Sequence, residues 1–211
     1  MIYAENILIC FAIPLLLLFF VLRGKTRFFV GSFLTGMGVC LLAAYISSFL
    51  GVVSGMGADD TAVYLSPVIE ELMKCLPLFF VFFLFGLKEE SVLLCAVGIG
   101  AGFSLFENCC YLLTFGTASL SFVMIRSLVV GVMHIVSMMV LAICLNMAVR
   151  MKALLFSSII GAVSLSMTFH GLYNLLVSKP GITSWIGNAL PVATALFLYL
   201  LFRRLRDSAD G

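Results

Sequence analysis

The chain has 211 residues, 63% of them hydrophobic and only 10% charged, with a formal net charge of +2. Its mean hydropathy is +1.23, and so little polar surface cannot coat a soluble globule of this size. A bilayer is the expected surrounding, and no nucleic acid is expected as a partner.

Apolar stretches recur along the whole length, with no separate soluble domain, long linker or low-complexity tail. Residues 1–211 therefore read as one integral membrane domain. The expected fold class is all-α, a polytopic transmembrane helical bundle. Crossing the hydrocarbon core takes about 20 apolar residues, and seven stretches qualify: 5–22, 28–53, 63–87, 91–115, 127–149, 153–177 and 182–202. The first has no basic segment before it and no small-residue cleavage site after it, so it reads as a retained span.

The polar breaks alternate in character along the chain. With the N-terminus outside and the C-terminus cytoplasmic, Arg23, Lys25, Arg27, Lys88, Arg150, Lys152, Arg203, Arg204 and Arg206 all face the cytoplasm. Only Arg126 and Lys179 remain outside, so the excess of inward basic residues favours this orientation. Arg126 precedes the fifth stretch and reads as a side chain snorkelling to the outer interface. Cys10, Cys40, Cys75, Cys95, Cys109, Cys110 and Cys144 lie in apolar runs without CxxC spacing, which points to buried thiols rather than disulfides or a zinc knuckle.

Within the spans stand ionisable and amide side chains that are costly at such depth. Glu70, Glu71 and Lys74 lie on the third span, Glu107 and Asn108 on the fourth, His134 on the fifth, and His170 with Asn174 on the sixth. The orientation drawn from loop charges sets their depth independently of their chemistry. Glu70, Glu107, His134 and His170 each lie seven or eight residues from the outer end of their span. At 1.5 Å per residue this is roughly 10–12 Å below that end, so four helices carry polar groups at one level. Residues four apart share a helix face, which pairs Glu70 with Lys74, Phe103 with Glu107, and His170 with Asn174. Glu71 and Asn108 sit about 100° around from their neighbours and can address other partners. Pro67 and Pro77 flank the acidic pair and are expected to free backbone carbonyls and bend the helix there.

Three carboxylates against Lys74 leave a net charge of −2 when both histidines are neutral. A bound divalent cation, a protonated carboxyl or a charged histidine would relieve it. Glutamate and histidine suit zinc, although no HExxH spacing is present. A carboxylate that takes a proton from water, beside donors that stabilise an oxyanion, meets the needs of peptide hydrolysis. No GxSxG elbow supplies a serine nucleophile.

Glu70-Glu71-Leu-Met-Lys74 reads as EExxK and Phe103-Ser-Leu-Phe-Glu107-Asn108 as FxxxEN, with His134 and His170 on later helices. This pattern, over about residues 60–180, resembles the PrsW family of intramembrane proteases, relatives of the CAAX-processing and bacteriocin-processing membrane endopeptidases. The resemblance implies a helical-bundle protease of the bacterial plasma membrane. It further implies site-1 cleavage of a membrane-anchored anti-sigma factor near the extracytoplasmic face. By analogy with the CAAX branch, Glu70 and Glu71 would be the water-activating pair and His170 with Asn174 the oxyanion donors. Glu107 stands where that branch has its first histidine, and His134 would supply an imidazole. Lys74, Asn108 and Phe103 would support the site. A single divalent metal, if bound, would draw on Glu71, Glu107, His134 and His170.

An ion-coupled transporter or channel would also place carboxylates and histidines at one depth, but should show an inverted repeat and a route to both faces, with ionisable groups in the inner halves as well. Neither is seen. A non-catalytic scaffold could use Gly98-xxx-Gly102 to bind partners, although such spacing more often packs helices within a bundle.

Overall fold

The computed structural model describes residues 3–85, 88–115, 119–150 and 154–209. Lys152 and positions 116–118, part of the break expected before the fifth span, lie outside the described residues.

All regular structure among the described residues is helical. Helices α1 (Ala4–Val21) and α2 (Gly24–Ser54) are followed by a single turn, α3 (Ala58–Asp60), and a π-helical stretch, Thr61–Leu65. Then come α4 (Ser66–Phe85), α5 (Glu89–Phe115), α6 (Leu120–Arg150), α7 (Leu155–Val177) and α8 (Ile182–Ala209). Six of these, α1, α2, α5, α6, α7 and α8, are long and apolar enough to cross a bilayer.

The remaining long helix, α4, is as apolar as these but carries three charged side chains, Glu70, Glu71 and Lys74. Its 20 residues extend about 30 Å. Val68, Leu72, Leu76, Phe80, Phe83 and Leu84 form its exposed side, whereas Glu71, Lys74, Cys75 and Leu78 are buried. An apolar exterior around a polar interior is the pattern of a helix packed in a membrane bundle, and it makes α4 the seventh span.

The centre of the bundle is α5, packed against α2 on one side and α6 on the other, while α4 contacts α2 and α7. Small residues permit this. A Cβ on Gly102 would stand 2.0 Å from the Phe33 carbonyl oxygen, and one on Gly36 2.2 Å from that of Ile99. Gly98 abuts Ser32 in the same seam. The Gly98-xxx-Gly102 pattern thus packs α5 onto α2 inside the bundle. Gly100, on another face of α5, lets the His134 carbonyl approach to 2.7 Å of where a Cβ would be. That approach sets the two histidine- and glutamate-bearing helices side by side.

Two expected boundaries differ. The fifth span begins at Leu120 rather than 127, so Arg126 lies inside α6 and not at its interfacial edge. The polar residues Ser119 and Ser121 mask the first turn in hydropathy, yet Ser119 Oγ accepts from the Phe122 N–H and caps it. The third span is preceded by π-helix, where the Ser66 N–H donates to the Thr61 carbonyl. Pro67, next in sequence, has no N–H to continue the ordinary ladder, which accounts for the wider turn before it. All seven cysteines are free, but of the thiols expected to be buried only Cys40, Cys75 and Cys95 are; Cys109, Cys110 and Cys144 are half-buried and Cys10 is exposed toward the apolar surroundings of α1.

Candidate active site

The polar side chains of α4, α5, α6 and α7 meet in one buried network. Lys74 Nζ lies 2.7 Å from Glu71 Oε1 and 2.7 Å from His134 Nδ1. His170 Nδ1 lies 2.9 Å from the same Glu71 oxygen. Across the cluster, His134 Nε2 is 2.6 Å from Glu107 Oε2. Glu71, Lys74, His134 and His170 are all buried, whereas Glu70 and Glu107 side chains are 16% and 25% exposed. The network therefore opens on the side of those two carboxylates.

An ammonium group has donors only, so His134 Nδ1 accepts from Lys74 and the ring proton resides on Nε2, which donates to Glu107. The same logic places a proton on His170 Nδ1, donated to Glu71. His170 Nε2 is then turned toward Glu70 Oε2, 3.7 Å away. That Glu70 oxygen is buried and has no hydrogen-bond partner. An unpaired buried carboxylate oxygen is costly unless something occupies the gap before it.

Phe103 explains the first position of its motif. Its ring is fully buried, 4.9 Å from the His134 ring and 5.1 Å from Lys74 Nζ, and so backs both groups. The two imidazoles lie edge to face at 5.0 Å. The other supporting and donor residues stand apart. Asn108 Nδ2 donates to the Ser104 carbonyl of its own helix, and its Oδ1 has no partner. Asn174 Nδ2 donates to the Ala62 carbonyl at 3.0 Å, tying the π-helical stretch to α7 instead of joining the imidazoles.

Arg126 was expected at the lipid interface, and the structure corrects this. Its Nη2 donates to Glu107 Oε1 at 2.9 Å, and its guanidinium lies 3.8 Å over the Tyr111 ring. The tertiary partner outcompetes the headgroup region because Arg126 lies on the ridge of Val130, His134 and Met138, all buried. That i, i+4, i+8 spacing was the available signal. With Arg126 included, the three carboxylates face two cations, and one negative charge remains.

Fold and site together define an integral membrane protein whose spans enclose a carboxylate–imidazole centre of hydrolytic type. A family model described as PrsW family intramembrane metalloprotease matches residues 24–202. The chain belongs to that family, and is thereby an intramembrane peptidase. No curated protein and no solved structure matches it.

The family description implies a metal, and the donor set accommodates one. Glu70, His134 and His170 each offer a ligand atom, all within 4.8 Å of one another. One carboxylate with two imidazoles is a familiar zinc donor set, and the unpartnered Glu70 Oε2 points the same way. Glu71 and Glu107, expected as ligands, instead accept from the imidazoles, the usual task of carboxylates behind metal-bound histidine. His134 meets Lys74 at one nitrogen and Glu107 at the other, so holding an ion through it requires one contact to open.

Proposed function

We propose that this chain hydrolyses a peptide bond of a membrane-anchored protein in the outer half of the bilayer, with Glu70 activating the water. The observation that carries this reading is the unpartnered, buried Glu70 Oε2 facing His170 Nε2 across 3.7 Å. A water held beside these two atoms would donate one proton to the carboxylate and the other to the His170 Nε2 lone pair.

In the proposed reaction Glu70 takes a proton from water as the oxygen bonds to the scissile carbonyl carbon. The C–N bond then breaks, and the proton held on Glu70 passes to the departing amine. Glu71 holds His170 by its Nδ1–H, and Lys74 holds Glu71, so the imidazole keeps one orientation throughout. Asn174 acts one step removed, by anchoring the stretch around Ala62 at the outer mouth. A divalent ion held by Glu70, His134 and His170 would supply Lewis acidity, polarising the carbonyl and acidifying water.

The substrate class follows from the family resemblance: an anti-sigma factor anchored in the bacterial plasma membrane, cut near its extracytoplasmic side. The N-out, C-in orientation supports it, since the loop charges place the polar layer in the outer halves of the spans.

In cells, Glu70→Gln is expected to accumulate to the wild-type level and yet produce no truncated substrate. Unchanged processing would refute the reading. Purified protein is expected to retain about one equivalent of zinc, reduced in His170→Ala. Full activity after complete chelation would assign the chemistry to the glutamate alone.

A further inference from the structure

We propose that Arg126 is a positioning residue that fixes the His134 imidazole through Glu107. The contacts form one unbroken series across three helices. Arg126 Nη2 donates to Glu107 Oε1, Glu107 Oε2 accepts from His134 Nε2, and His134 Nδ1 accepts from Lys74 Nζ. Each carboxylate oxygen of Glu107 has one partner, so the carboxylate cannot rotate without losing both. Arg126 is itself restrained, since its guanidinium lies over Tyr111 on the same helix as Glu107. Its side chain is 17% exposed and that of Glu107 25%, so a bond between them is only partly exposed to competition from water.

The consequence is a fixed ring orientation. Lys74 fixes the ring proton on Nε2, and Glu107 held by Arg126 gives that proton one stationary acceptor, so the Nδ1 lone pair stays aimed at Lys74. Without Arg126, Glu107 is free to turn, and the ring loses the fixed acceptor that orients it on that side. Arg126 contributes no atom to the gap before Glu70. Its effect on the centre runs through Glu107 alone.

The chain has two histidines, so the state of His134 can be read directly. Chelator-treated protein carrying ¹⁵N-histidine should give two imidazole patterns, with His170→Ala assigning them. Wild type is expected to show His134 protonated at Nε2. Arg126→Gln is expected to keep the Nε2–H tautomer, which Lys74 fixes, but to shift the His134 Nε2 resonance as its bond to Glu107 loosens, with His170 unchanged, and Arg126→Lys to restore the wild-type shift. An unaltered His134 in Arg126→Gln, or an equal disturbance of both rings, overturns the assignment.

The kinetic arm rests on the hydrolytic reading above. Cleavage of a membrane reporter by Arg126→Gln is expected to lose about 10–100-fold in kcat with little change in KM. The double variant Arg126→Gln/Glu107→Gln should be no slower than Glu107→Gln alone, because both act through one carboxylate. Multiplying losses overturn the proposal. Should wild type fail to cleave any reporter, the hydrolytic reading falls, while the imidazole spectra still decide the role of Arg126.

Discussion

Lys74 is fully buried, and both atoms that accept its ammonium group belong to the polar centre. Substituting it removes the cation between Glu71 and His134 and leaves Glu71 with His170 alone. Breaking one side of a buried pair costs about 3–5 kcal/mol, because the surviving charge is left without compensation. Lys74→Met is therefore expected to lower the melting temperature in detergent markedly. Adding Glu71→Gln should recover much of the loss, since the stranded charge is then gone. A melting temperature equal to wild type in Lys74→Met would contradict this account of the pair.

At the scale of elements, the site depends on how closely the helices approach. The α2–α5 seam is built on Gly36, Gly98 and Gly102, and the α5–α6 approach on Gly100. At Gly102 the obstruction would be backbone, the Phe33 carbonyl, which cannot swing aside as a side chain would. Gly102→Val is expected to cost about 1–3 kcal/mol by overpacking, read as a lower melting temperature. Gly161, with open space where its Cβ would be, should accept alanine without such loss. The element boundaries were legible in the hydrophobic runs wherever loops were short and charged. The start of α6 was not, because its first turn carries polar Ser121 and the cap lies in a low-hydropathy break. Arg126 was misplaced for the same reason: a helix taken to begin at 127 leaves it at an interface. The contact that holds it comes from Glu107, 19 residues earlier, and such a pairing is set by the packing of α5 on α6.

For the whole molecule, composition was enough to establish a helical membrane bundle. Counting inward from the outer span ends brought Glu70, Glu107, His134 and His170 to one level, where the structure joins Glu71, Lys74, His134 and His170. Which carboxylate would be left unpartnered was not readable. Glu70 and Glu71 are adjacent in sequence, and only the packing of α7 on α4 assigns His170 Nδ1 and Lys74 to Glu71. Orientation is a whole-molecule property and has its own test. Lys88, beside the exposed Lys25–Glu90 pair at 2.7 Å, and Lys179 should lie on opposite sides of the bilayer. In a cysteine-free background, Lys179→Cys is expected to react with an impermeant maleimide in intact cells and Lys88→Cys only after lysis. The reverse pattern would invert the topology and place the polar layer in the inner half.

The central claim, that Glu70 activates water for cleavage within the bilayer, is most directly tested in proteoliposomes made in H₂¹⁸O. Purified wild type and Glu70→Gln would each be reconstituted with a single-span reporter and the products examined by mass spectrometry. The account predicts that wild type cuts the reporter in its outer half and places ¹⁸O in the new C-terminal carboxylate. Glu70→Gln should be slower by about 10²–10⁴-fold. Equal cleavage by the two proteins, or an intact reporter with fully folded wild type, would contradict it.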